Sequence, residues 1–506
     1  MEDIEAETTR HLVNVYFTYV NNATFCLYPR NFVYWAINTG NKCQNEQMVL
    51  CAMLAVGSNF DETFSGIGKR CAEAAKALLI SKAGIHNLQV VQTRFLLGLY
   101  YSARGHHGLG WDYTASAIRL TTSPELALNK EEQSNEDEAG SNERTPFSLT
   151  REQLAECRRR TFWACFLADR YEDGMLCALT LQDIFLRLPC TDEMYEQGAR
   201  SDAPYFNNGI IDPVRTLLTP ISPVCPMAWL ALVAGRWGDV LNFTNRAVYR
   251  TNEDYKAVYE TFHTETEGAL SGWFTRMPEY LTYEETNVRR SIEGGYAAEF
   301  LTIHVLQHFT LMRLNRHVRH ALLDKDSLSR NIRAAHYHAD ALLRMMSKYR
   351  QTRQEIARTG GQRYDQPLTT PFLGCAIMSA IDVVGAGGLD SGLKEAIEAM
   401  DGGVACLQEL AKYWSSAVDQ LRAAQRRLYE VKAIVARPFK ARSGAWLGRE
   451  WGTKDPLEKE FGRDYDCIYG TEHDDSGDGY SRTYFAALRA DTHDARAQPA
   501  GGLRIV

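Results

Sequence analysis

No Cys-x-x-Cys occurs anywhere in this chain of 506 residues, although it has 12 cysteines, and no two of them are closer than eight positions. Structural zinc sites of the finger and ribbon type need such short chelating pairs, because two thiolates must reach one ion from a single turn. The cysteines sit mostly among apolar neighbours, as in Val404-Ala405-Cys406-Leu407. There a free thiol behaves as a small hydrophobe, and a reducing compartment is implied. Long apolar runs are missing as well. Cys225 to Ala234 spans about ten residues, against the roughly twenty needed to cross a bilayer. Pro371 to Gly388 is longer but carries Asp382 and reads as a buried helix. The acidic start, Met1-Glu2-Asp3-Ile4-Glu5, is followed by no apolar signal core, so an intracellular protein is expected. An excess of positive charge is also lacking. Lys and Arg total 56 against 63 Asp and Glu, a net charge of −7, which excludes a whole-chain basic footprint for nucleic acid.

Alternating strand patterns are scarce, whereas apolar spacings of three and four are found nearly everywhere, so the expected fold is an all-α multi-helix bundle. Helices are predicted at 9–20, 46–56, 67–82, 87–104, 110–120, 255–270, 328–350 and 370–384. Another opens at Thr150-Arg151-Glu152-Gln153, a capping box in which hydroxyl and amide side chains each serve the other's backbone N–H, and runs to Arg170. Ala298 to His320 is apolar on several faces and predicts a buried helix. Val404 to Arg437 reads as one long helix, started by Asp401-Gly402-Gly403 and stopped by Pro438. Residues 121–149 hold Glu131, Glu132, Glu136, Asp137, Glu138 and Glu143 with almost nothing apolar between Leu128 and Phe147, and predict a disordered acidic loop. The expected organisation is one body over 1–437 and an irregular C-terminal extension over 438–506.

Several chemical motifs are spelled out and then fail. Asp474-Asp475-Ser476-Gly477-Asp478 is a DDxxD run of the kind that holds Mg²⁺ in helical terpene synthases, which makes such an enzyme the alternative reading. It lies in a Gly-containing tail without a second metal motif, and as a calcium loop it has Phe485 where a bidentate Glu is needed. Ser65-Gly66-Ile67-Gly68-Lys69 lacks the first glycine and the final hydroxyl of a phosphate loop, having Thr63 and Arg70 instead. Gly385-Ala386-Gly387-Gly388 has Asp390 in place of the third dinucleotide glycine. His304 and His308 share a helical face, but no HExxH frame surrounds them, and Glu260-x-x-His263 is single where a di-iron bundle needs two. They are expected to pack in a core. Arg313, Arg316, Arg319, Arg333, Arg344, Lys348 and Arg350 form a basic stretch without aromatic interleaving, expected to be a solvated helix face. No catalytic, cofactor-binding or metal-ligating residue is assigned.

One ordered series of motifs does carry information. Arg158-Arg159-Arg160-Thr161-Phe162-Trp163 leads to Phe166, then Asp169-Arg170-Tyr171, followed by Asp183-Ile184-Phe185-Leu186-Arg187-Leu188-Pro189. Before it come Leu12 to Val20, Val91-Gln92 to Tyr100-Tyr101, Trp111-Asp112-Tyr113 and Ala117-Ile118-Arg119. After it come Trp273 to Pro278 and Ile303-His304 to Leu314-Asn315-Arg316. Together this series, over about 12–320, resembles the fungus-specific transcription factor domain, the middle homology region of zinc binuclear cluster regulators. Asp173 to Leu179 departs from the turn usual in that family, and the zinc cluster typical of its members is absent from this sequence.

The resemblance implies a nuclear transcriptional regulator that is not an enzyme, and a biosynthetic or metabolic gene cluster is its expected target. The expected partners are other transcription factors or coregulator proteins, a small-molecule effector, and a second copy of the chain as a dimer. No membrane and no direct DNA binding through this chain alone are expected. Read physically, Arg159 or Arg160 with Asp169 would tie helices together by guanidinium–carboxylate pairing, while Phe162, Trp163 and Phe166 supply apolar area. A ligand pocket is expected between the helices near 92–120 and 298–320.

Overall fold

Apolar spacings of three and four become sixteen α-helices among the described residues of the computed structural model. It describes residues 5–38, 40, 42–131, 145–171, 176–212, 224–247, 254–319, 322–360, 367–386 and 393–436. In chain order the helices begin with α1 (Ala6–Tyr16), α2 (Phe32–Ile37), α3 (Gln44–Gly57), α4 (Ser65–Ser81), α5 (Leu88–Ala103) and α6 (His107–Leu120). The middle of the chain forms α7 (Arg151–Tyr171), α8 (Asp192–Gln197), α9 (Pro226–Ala247) and α10 (Tyr255–Phe274). The rest is α11 (Glu285–Gly294), α12 (Ala297–Arg316), α13 (Lys325–Gly360), α14 (Phe372–Ala386), α15 (Leu393–Leu410) and α16 (Ser415–Val435). None of them is long and apolar enough to cross a membrane.

Local chemistry sets several boundaries. The Thr150 box forms as expected, with the Gln153 N–H donating to Thr150 Oγ1 at 3.2 Å and the Thr150 N–H to Gln153 Oε1 at 3.1 Å. Helix α1 widens into a π-helical segment, Phe17–Phe25, which ends where Cys26 adopts a left-handed φ of 45°. A two-residue hairpin pairs β1 (Phe206–Asn207) with β2 (Ile210–Ile211) around Asn208-Gly209, whose φ values of 48° and 87° suit a tight type I′ turn.

Three expectations need correction. Val404–Arg437 is not one helix, because the chain turns between α15 and α16, where the Trp414 indole donates to the Thr369 carbonyl at 2.8 Å. Gly402 and Gly403 do not start a helix but lie inside α15. A Cβ on Gly403 would sit 2.9 Å from Leu343 and 3.1 Å from Ile381, and one on Gly402 would collide with Ser347. Here glycine marks a close approach of helices. The disordered acidic loop is corrected at both ends, where Leu126, Leu128, Phe147 and Leu149 are buried and Glu131 is bound by Arg159. Its middle, 132–144, lies outside the described residues, as does the whole extension from 437 onward with its DDxxD run. Helices α9 and α11 went unread in the sequence. Met227 to Gly235 is buried on every side, so the run has no polar face to reveal a period.

The packing has two halves that meet through α7 and also directly, where α16 reaches α5 and α12 reaches the Phe17–Phe25 segment. On one side α1 and α3–α6 pack together; on the other, α12–α16 pack together, with α9 against α12. Helix α7 touches α5, α6, α8 and α9, and its Phe162, Trp163, Cys165, Phe166 and Leu167 have no exposed surface. Burying three aromatic side chains at one junction removes hundreds of square ångströms of apolar surface from water, on the order of several kcal/mol.

Candidate functional site

Two polar clusters stand out, one closed and one open. The closed cluster is built on α7. Arg160 is fully buried; it donates Nε to Glu156 Oε1 at 3.0 Å, and its other nitrogens to the Cys190 carbonyl at 2.8 Å and Asp192 at 2.9 Å. A fourth contact reaches Cys26 Sγ at 2.6 Å, and the guanidinium lies 4.6 Å above the Tyr195 ring. Glu156 also accepts from the Cys190 N–H at 3.0 Å and pairs with Arg159. Arg159 in turn reaches Glu131 at 2.9 Å. Each charged group is thereby paired and hydrogen-bonded, the condition on which buried ion pairs survive desolvation.

At the other end of α7, Asp169 accepts from the backbone N–H groups of Ala178 at 2.9 Å and Leu179 at 3.0 Å and pairs with Arg170 at 3.1 Å. Arg170 donates to the Leu179 carbonyl at 2.9 Å, and the Trp237 indole of α9 donates to the Arg170 carbonyl at 2.6 Å. The sequence expected Arg159 or Arg160 to act together with Asp169. The structure separates them: Arg160 secures the chain at 26 and 190–192, and Asp169 folds the 178–179 segment back onto α7. A like network holds the second half. Asp382 on α14 pairs with Arg316 of α12 at 2.8 Å and with Arg427 of α16. Burial alone would raise the Asp382 pKa, but Arg427 and Arg316 outweigh it and hold the carboxyl below its ordinary value.

The basic stretch is corrected by the same geometry. Arg313 and Arg316 are not solvated but 2% and 1% exposed, with Arg313 donating to Thr244 at 3.2 Å and Asn245 at 3.0 Å on or near α9. Arg333 and Arg344 are exposed, and Lys348 is partly so.

The open cluster is a cleft of about 490 Å³. The end of α10 supplies Phe274, the connection before α11 supplies Thr282 and Tyr283, α12 supplies His304, Gln307 and His308, and α13 supplies Tyr337, Ala341, Arg344, Met345 and Lys348. On α13, Tyr337, Ala341, Arg344 and Lys348 recur at four, three and four, with Met345 beside them, so they form one stripe. The His304 Nε2–H donates to the Leu281 carbonyl at 2.8 Å, which fixes its tautomer. His308 Nδ1 and His338 Nδ1 are 3.0 Å apart and share one proton-donating hydrogen bond. Burial pushes His304 and His308 down to about 4 and His338 to about 3, so all three are neutral at pH 7. The expected pocket is thus half right: α12 lines it, but its partners are α10 and α13, and α5 and α6 take no part. Sequence spacing showed the His304–His308 face, but not that His338, thirty residues on, would meet it.

Other flagged residues serve packing. Glu260 pairs with Arg330 at 2.9 Å and accepts from Ser327 at 2.7 Å, while His263 meets Asn315 at 3.0 Å. Among the described residues no group of three or more His, Cys, Asp or Glu is placed to hold a metal ion. Asp474, Asp475 and Asp478 lie outside the described residues.

Residues 13–213 match the family model of the fungal specific transcription factor domain. The chain is similar to a transcriptional regulatory protein of Schizosaccharomyces pombe, 25% identical over 61% of this chain and 32% of that one. It is also similar to the TY1 enhancer activator of Saccharomyces cerevisiae, 22% identical over 47% of this chain and 29% of the other. A nitrogen assimilation transcription factor of Emericella nidulans is 26% identical over 32% of this chain and 18% of its own length. The chain therefore spans about a third or less of the curated relatives it matches. No solved structure matches it. The matched segment runs from within α1 to just past the hairpin and includes α7 with its network in its second half.

Proposed function

We propose that this chain, which carries a fungal specific transcription factor domain over residues 13–213, acts in the nucleus as the regulatory body of a transcriptional regulator. The observation that supports the reading is the match itself, which includes the Arg-Arg-Arg-x-Phe-Trp and Asp-Arg-Tyr motifs of α7. The use these residues are put to agrees with it. Arg160, Asp169 and Arg170 are consumed by backbone and carboxylate partners, as befits a scaffold that presents surfaces rather than a centre that turns over substrate. In this role the helical body works through contacts with other transcription factors or coregulators, and a biosynthetic or metabolic gene cluster is the proposed class of target.

A tethering experiment tests it. The full chain, fused to an unrelated DNA-binding domain, is brought to a reporter of intermediate basal output in a fungal host, so that either sign of regulation is visible. A several-fold rise or fall relative to the DNA-binding domain alone, with the fusion in the nucleus, is expected. Unchanged output from a folded, nuclear fusion would refute the proposal.

A further inference from the structure

We infer that the cleft between α10, α12 and α13 is a binding site for a planar aromatic carboxylate. It stands on the geometry of the cleft and does not depend on the regulatory reading. Phe274, Tyr283 and Tyr337 present three aromatic rings to one space, and Met345 and Ala341 add apolar surface between them. Such walls favour a flat, apolar ligand body.

The charged side chains of the lining itself are both cations. Arg344 and Lys348 are one helical turn apart on α13, and no Asp or Glu lines the cleft. Their carboxylate neighbours, Asp340 at 2.6 Å and Glu285 at 2.7 Å, lie outside the lining, leaving the remaining donors of both cations for a ligand. A carboxylate accepts naturally from a guanidinium fork with an ammonium beside it. An amine would meet only cations in the lining, and a sugar would leave the rings uncovered. The volume, about 490 Å³, falls within the range of small-ligand sites. On the α12 wall, His304 and His308 are polar but uncharged at neutral pH, so they accommodate a hydroxyl or ring heteroatom without adding to the field.

The purified full chain is titrated calorimetrically with 2-naphthoate, 2-naphthamide and inorganic phosphate at pH 7. The naphthoate is expected to bind at one site, about tenfold or more tighter than either comparison compound. Arg344→Gln and Lys348→Gln should each weaken it about tenfold, and Tyr337→Ala several-fold. These side chains are surface-accessible, so the variants should keep the parent's melting temperature. Lys394→Gln on α15, a remote and exposed control, should change nothing. Absence of naphthoate binding, equal binding of the amide or phosphate, or indifference to the α13 variants would each overturn the inference.

Discussion

The α7 junction and the α12–α13 cleft are made from the same polar residue types, yet they are opposites in chemistry. At α7 the charges are buried, and each has found its counter-charge and hydrogen bonds, so the cluster is committed to holding chain segments together. At the cleft the buried groups are imidazoles that have given up their charge, and the cations stand at an open rim. A charge enters a core only when its solvation is replaced in full. The difference marks one region as structural and the other as free to meet a ligand.

The largest test of that contrast is Arg160→Ala. It leaves Glu156 buried beside a void and should cost about 3–5 kcal/mol, read as a fall in the urea midpoint or as failure to fold. Arg160→Lys should recover little, because an ammonium cannot span Glu156, Cys190 and Asp192 together. A loss below 1 kcal/mol for the alanine variant would put the cluster in the same category as the cleft.

Next in size is Glu299 on α12, whose buried Oε2 has no hydrogen-bond partner among the described residues. Burial pushes its carboxyl up to about 7. Its folded pKa being raised, its stability contribution is full below about 4.5 and is lost as pH rises towards 7. Glu299→Gln should therefore stabilise the protein at pH 8, by roughly 2–3 kcal/mol, and hardly at all at pH 4.5.

The histidines run the other way. Their folded pKa values lie below 6.5, so the unfolded chain takes up protons first as the solution is acidified. Stability is full above about 6.5 and falls as pH drops towards 4. In the Glu299→Gln background this slope should appear unopposed in the stability measured from pH 7 to 4, on the order of 2–3 kcal/mol for each imidazole. A flat profile there would show that the imidazoles are not held neutral.

Gly403→Ala examines the opposite face of α13. Helix propensity alone predicts a gain of about 1 kcal/mol from alanine at a mid-helix position. The 2.9 Å and 3.1 Å approaches of Leu343 and Ile381 predict instead a loss of about 1–3 kcal/mol. The sign of the change in denaturation midpoint decides between them. Smallest of all, Tyr337→Ala should alter stability by less than about 0.5 kcal/mol, since the ring is 65% exposed.

Legibility followed the reach of the forces involved. The Thr150–Gln153 box was readable because it closes within four residues, and Asp382 inside an apolar run marked a buried helix before any partner was visible. Gly402-Gly403 misled because the same residue type breaks helices and permits their contact, and only the position of Leu343 distinguishes the two. Arg313 and Arg316 misled because a cluster of arginines resembles a solvated face until Thr244, Asn245 and Asp382 are brought beside it. The first half of α9, buried without a break from Met227 to Gly235, carried no period to read.

By itself, then, the amino-acid order determined an all-helical chain and, over residues 13–213, its likeness to the fungal specific transcription factor domain. Both are written in local spacing, caps and an ordered series of motifs. Tertiary structure alone decided which charges are closed off and which are open. Arg160 meets Cys190, and His308 meets His338, across separations of 30 residues. The cost of burying a charge depends on neighbours that only folding supplies.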